Sequence, residues 1–147
     1  MRELVFESPE ARLKLEAIIH PMISSVTRRR AQEAQGCYLV FVVPLLVESL
    51  RHSSRWRDQI DRLCVVDCDP ATQEARVQAR SGLTPEVIAR IMSAQATRAE
   101  RLAVADDVVV NDGNTSVDDL VQRSRMLHEQ WLEQAQNHSG SHARPCS

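Results

Sequence analysis

Tyr38-Leu39-Val40-Phe41-Val42-Val43-Pro44-Leu45-Leu46-Val47-Glu48 is the most apolar run in the chain. It does not alternate apolar with polar residues, as a strand with one wet face does. An unbroken run of β-branched and aromatic residues predicts an inner strand of a parallel sheet, over about 39–43, covered by helices on both faces. Pro44 has no N–H to give to a ladder and stops the strand. Leu45 to Glu48 then leave the carboxyl end of the strand, the edge at which open α/β sheets bind ligands.

Around this run the chain alternates helical and strand patterns. Met1 to Phe6 reads as a short helix. Ser8-Pro9-Glu10 caps a second one, which His20-Pro21 is expected to interrupt because the residue before proline is pushed out of the helical region. A third helix resumes at Met22 and ends by Gly36. Leu63-Cys64-Val65-Val66-Asp67 predicts a second strand, and Asp69-Pro70 caps a helix over 71–80. Thr84-Pro85 caps another, expected to run to about Ala103. Asp107-Val108-Val109-Val110 predicts a third strand, followed by the turn Asn111-Asp112-Gly113 and a last helix from Val117 to about Gln136. Strands alternating with helices make an α/β fold with a three-stranded parallel sheet and flanking helices. The tail 137–147 is polar and expected to be disordered.

At 147 residues the chain is one domain's worth, and its formal net charge of −2 gives no nucleic-acid footprint. No apolar run reaches the ~18 residues of a membrane span. Met1-Arg2-Glu3 opens without a signal peptide, so the expected location is the cytoplasm and the expected partners are small molecules, with no nucleic acid and no membrane. Cys37, Cys64, Cys68 and Cys146 form no C-x-x-C pair and read as reduced structural cysteines, and no metal-ligating set is expected. Lys14 is the only lysine, so nearly all the positive charge is arginine. That is either a codon preference or a use of the two-pronged guanidinium, which grips phosphates and carboxylates.

Arg76 and Arg80 stand four apart on one helix and share a face; Arg90, Arg98 and Arg101 recur on the next. Two arginine-bearing helices joined at Gly82 suit a lid over a polyphosphate, and they equally suit a solvated helix face. Asn111, Asp112 and Gly113 form either a simple turn or a loop that offers backbone groups to a base. His20 and Glu48 each have a ligand reading and a local structural one. Glycines stand at 36, 82, 113 and 140, so the sequence contains no G-x-x-x-x-G-K-[ST] loop.

These pieces stand in one order: Arg2-Glu3-Leu4-Val5-Phe6, Leu15-Glu16 to His20-Pro21, Val43-Pro44-Leu45-Leu46-Val47-Glu48, Val65-Val66-Asp67, and Gln73-Glu74-Ala75-Arg76 with Arg80. They continue through Gln95-Ala96-Thr97-Arg98 with Arg101 and Ala105-Asp106-Asp107 to Asn111-Asp112-Gly113. In that order the sequence resembles the dephospho-coenzyme A kinases, a P-loop kinase family, from residue 2 to about 132. The resemblance implies ATP- and Mg2+-dependent phosphorylation of the 3′-hydroxyl of dephospho-CoA, the last step of coenzyme A biosynthesis. It implies a helical coenzyme-binding part at 1–36 and an α/β core at 37–136 with lid helices at about 71–103. Arg76, Arg80 and Arg98 would stabilise phosphate, Asn111, Asp112 and Gly113 would lie by the adenine, and His20, Pro44, Leu45 and Glu48 would meet the substrate.

The same resemblance marks a departure. The family opens on a strand and a glycine-rich phosphate loop, and roughly the first sixty residues that carry them have no counterpart in this sequence. The expectation is an N-terminally truncated chain that lacks the central strand between 39–43 and 63–67 and most of the phosphate and metal sites. Such a chain would be inactive alone and prone to self-association through unpaired strand edges. The alternative is a non-catalytic module, derived from the same fold, that binds coenzyme A, a nucleotide or a protein.

Overall fold

The computed structural model describes residues 8–51 and 54–138. The expected helix at Met1–Phe6 and residues 139–147 of the expected tail lie outside them. The chain divides into two compact units, Met1–Val40 with Leu132–Ser147, and Phe41–Trp131.

In the first unit, α1 runs unbroken from Pro9 to Glu33. Ser8 accepts the Ala11 N–H and proline opens the first turn, as the sequence predicts. Contrary to expectation, α1 passes through Pro21. A proline inside a helix removes one N–H and crowds the preceding turn, but the other bonds of a 25-residue helix hold the backbone helical around it. Leu13, Ile18, Met22 and Ile23 are exposed along α1. Cys37 is disulfide-bonded, which corrects the reduced reading for that residue. Cys64 and Cys68 are free thiols, as expected.

The expected strand at 39–43, which runs from the end of the first unit's opening segment into the second unit, does not form; these residues have no regular secondary structure. Val42 is 87% exposed, and Phe41 meets Trp56 edge-on at 5.7 Å. Strand propensity is only realised against a partner that shares the ladder, and among the described residues none lies beside this run. Among the described residues the sheet therefore has two strands rather than three. They are β1 (Cys64–Asp67) and β2 (Asp107–Val110), parallel, with Cys64 beside Asp107 and Asp67 beside Val110. The mixed α/β class holds. After Pro44 the chain turns into the short helix α2 (Leu46–Leu50) and a 3-10 turn (Ser54–Gln59).

Three helices join the strands. Asp69 accepts the Thr72 N–H to cap α3 (Pro70–Ser81), and Gly82 ends it with a left-handed φ of 62°. The single helix expected from Pro85 to about Ala103 is two: α4 (Pro85–Ser93) and α5 (Arg98–Ala103). Thr97 and Glu100 form a full capping box that starts α5 afresh. That T-x-x-E signature was present in the sequence and outweighs the apolar periodicity that suggested continuity. α6 runs from Val117 to His138.

The core of this unit is Leu63, Val65, Ile88, Ala96 and Val109, with one buried charge, Asp67. At the amino ends of the strands, Arg62 holds Asp107 with both Nε (2.8 Å) and Nη2 (2.9 Å), and Trp131 Nε1 donates to the same carboxylate at 2.9 Å. This ties α6 to the start of β2.

Candidate functional site

Parallel pairing puts the carboxyl ends of β1 and β2 side by side. The ladder continues one step further, where the Asn111 N–H donates to the Asp67 carbonyl at 2.7 Å. Two loops therefore leave the sheet together: Cys68-Asp69 into α3, and Asn111-Asp112-Gly113 toward α6. Arg76, two turns into α3, joins them. Its Nη1 donates to the Asn111 carbonyl (2.7 Å) and side-chain Oδ1 (3.1 Å), and its Nη2 to the Asp112 carbonyl (3.0 Å). Asp112 Oδ1 in turn accepts the Asn114 N–H at 3.2 Å and the Thr115 hydroxyl at 2.8 Å, which closes the loop on itself.

Gly113 has a reason the sequence did not show. Its φ lies outside the left-handed region, unlike that of Gly36 and Gly82. What excludes a side chain is space: a Cβ there would come to 2.9 Å from Thr72 Oγ1. The loop is pressed against the first turn of α3.

Arg98 meets Asp67 in a two-pronged pair. Nε lies 2.9 and 3.1 Å from the two carboxylate oxygens and Nη2 lies 2.6 Å from one of them. The Asp67 side chain is 4% exposed and that of Arg98 is 48% exposed. Glu48 Oε1 accepts the buried Ala96 N–H at 2.6 Å, so α2 fixes the link between α4 and α5. Arg51, at the carboxyl end of α2, pairs with Glu100 at 2.6 Å. Arg101 Nη1 donates to the Ala96 carbonyl at 2.5 Å.

The sequence-derived candidates thus fall into three places. Arg76, Arg80 and Arg98 line a pair of adjoining hollows that share Gln73; Arg80 stands with Cys68, Arg76 and Val77 around an open groove of about 470 Å³. Asn111, Asp112 and Gly113 lie against this wall through Arg76. Pro44 and Leu45 are exposed just before α2, while Glu48 is engaged with Ala96. His20 is exposed on α1, in the other unit. Sequence reading assigned no role in the site to Gln73 or Asp67. Nothing local marks Asp67 as the partner of a side chain 31 positions away.

The Arg98 hydrogen bonds hold the Asp67 carboxyl below the usual carboxylate range, against the opposing effect of burial. Arg62, with help from Trp131, does the same for Asp107. Depressed native values mean that the unfolded chain takes up protons first as pH falls. The stability these two carboxylates lend is fully present above about pH 4 and is lost as pH drops through their native values. The melting temperature is expected to be flat from about pH 7 to about pH 5 and to fall below about pH 4, with Asp107→Asn flattening part of that fall; circular dichroism melts across the range check it.

Among the described residues no group of three or more His, Cys, Asp or Glu side chains could hold a metal ion. Nor is any described helix long and apolar enough to cross a membrane.

Comparison with known proteins identifies the family. The family model for dephospho-CoA kinase matches residues 1–117. The dephospho-CoA kinase of Bordetella pertussis is 63% identical over 132 residues, covering 90% of this chain and 60% of that protein. That of Burkholderia pseudomallei is 52% identical over 133 residues, covering 90% and 63%. The crystal structure of TT1252 from Thermus thermophilus superposes with a TM-score of 0.74 at 25% identity, over 88% of this chain and 64% of that one. The chain therefore spans about 60% of the length of the curated relatives it matches. On the match to the family model and the identity to these relatives, the chain belongs to the dephospho-CoA kinase family.

Proposed function

We propose that this chain is the substrate-side and lid portion of an enzyme that transfers the γ-phosphate of ATP to the 3′-hydroxyl of dephospho-CoA. The observation that carries the reading is the set of guanidiniums, Arg76, Arg80, Arg98 and Arg101, gathered around Gln73 beside the carboxyl ends of two parallel strands. Phosphoryl transfer needs positioning and neutralisation of charge spread over phosphate oxygens, and arginine forks supply both. The Asn111–Gly113 loop, fixed by Arg76 and Thr72, offers backbone and amide groups to the adenine ring. Pro44, Leu45 and Glu48, at the exit from the apolar run, take the dephospho-CoA side.

The 147 residues contain no G-x-x-x-x-G-K-[ST] loop. That loop is the part that cradles the β- and γ-phosphates on its N–H groups and sets a lysine beside them. Positioning of the transferring group is the larger part of catalysis here, so these residues alone are expected to bind without turning over.

Calorimetry with dephospho-CoA, run beside a turnover assay with ATP and Mg2+, tests the reading. The expected result is heat of binding and no turnover above background, against the ~1–100 s−1 usual for kinases. Absence of binding overturns the substrate assignment, and turnover overturns the expected inactivity. The missing phosphate loop also favours a second reading, a non-catalytic coenzyme- or nucleotide-binding module. Adding the part of the Bordetella pertussis relative that this chain does not span separates the two: restored turnover supports the first, and continued silence the second.

A further inference from the structure

The four guanidiniums around Gln73 are not equivalent, and we propose that only Arg80 and Arg101 contact the bound phosphate chain, while Arg76 and Arg98 hold the walls in place. This rests on the reading of the groove as a polyphosphate site and assigns the work within it.

The assignment follows from what each guanidinium already does. Arg98 spends Nε and Nη2 on Asp67, a carboxylate 4% exposed. Turning that fork toward a ligand would strand a buried charge without its counter-ion, which costs far more than one phosphate contact returns. Arg76 spends both terminal nitrogens on Asn111 and Asp112. Swinging it away would release the loop that it fixes to α3. Arg101 is different: its one bond runs from Nη1 to the Ala96 carbonyl. Nε and Nη2 engage no acceptor among the described residues. That single bond orients the fork and leaves its other edge unused. Arg80 engages no acceptor among the described residues and lines the open groove one turn beyond Arg76. The two unspent forks flank Gln73, Arg101 on the side of α5 and Arg80 on the side of α3. A chain of phosphates is the class of ligand that two separated cationic forks would hold, each taking oxygens of a different phosphoryl group.

The test uses the 147-residue chain and inorganic triphosphate, measured by calorimetry at low salt, with a thermal melt of each variant. Arg80→Met and Arg76→Met remove the same charge from the same groove. Arg80→Met is expected to weaken binding about tenfold and Arg76→Met by no more than about threefold. Arg101→Lys and Arg98→Lys both keep the charge and lose the fork. Arg101→Lys is expected to weaken binding several-fold, whereas Arg98→Lys keeps its pairing with Asp67 and binds like the parent chain. Arg76→Met as damaging as Arg80→Met, or Arg98→Lys weaker than Arg101→Lys with an unchanged melt, overturns the assignment while the polyphosphate reading stands. If Arg98→Lys does not fold, the Arg76 and Arg80 pair decides alone. A parent chain that binds no triphosphate removes the polyphosphate reading, and this inference falls with it.

Discussion

Ile88→Ala is expected to destabilise the Phe41–Trp131 unit by about 2–5 kcal/mol. Ile88 is 1% exposed and is the one large side chain that is fully buried among the described residues. It stands on α4, whose apolar residues fall on one face, and with Leu63, Val65, Ala96 and Val109 it makes up the buried apolar set of this unit. Truncation removes three carbons from that space. The loss combines their transfer free energy with the cavity left behind, because neighbouring atoms relax only in part. A core this thin has few other residues to share the strain, and a domain of this size has only about 5–15 kcal/mol in total. Urea unfolding followed by circular dichroism measures the loss. Ile91→Ala, on the same helix but 46% exposed, is the comparison, and its expected cost is under about 1 kcal/mol. Equal costs at the two positions would show that α4 does not bury the face assigned to it.

Arg98→Met is expected to lower the melting temperature by on the order of 10 °C, more than any other arginine replacement in this unit. The cause lies in Asp67 rather than in the arginine. Half of the Arg98 side chain already meets water, so its own desolvation is slight, but Asp67 has almost no contact with solvent. Without the fork, the carboxylate must remain charged and unpaired or take up a proton. Its pKa is held low mainly by the Arg98 hydrogen bonds, so removing them raises it and moves acid unfolding to higher pH. The sign of the second change is the check. Asp67→Asn in the Arg98→Met background removes the stranded charge and is expected to recover much of the lost melting temperature. If the double variant melts lower than Arg98→Met alone, the pair does not dominate the local energetics. Glu100 offers a contrast: bonds from the Thr97 backbone and hydroxyl, then Arg51, bring its carboxyl down to about 2, yet it is exposed and its loss should matter little.

What was legible in the sequence is what neighbours along the chain settle. Asp69-Pro70 and Gly82 mark both ends of α3 because a cap needs only the residue itself and the three that follow. Ser8-Pro9 marks the start of α1 for the same reason. The runs Leu63–Asp67 and Asp107–Val110 read as strands and are strands, and the Asn111–Gly113 turn stands where it was expected. The break before Arg98 was legible too, in Thr97-x-x-Glu100, but helical periodicity across Ala94 and Gln95 masked it.

The tertiary structure alone decided the rest. Residues 39–43 have a stronger strand composition than either strand that forms, yet they carry no ladder, because hydrogen bonds between strands require a second backbone at the right distance and sequence does not say whether one is there. Gly113 is glycine because Thr72, 41 positions away, occupies the room a Cβ would need. The arginines look alike as letters; only the placement of Asp67, Asn111 and Asp112 separates forks already committed from forks still open. A guanidinium's reach is long and its partner is chosen by packing, so its task is fixed by distance in space and not by spacing along the chain.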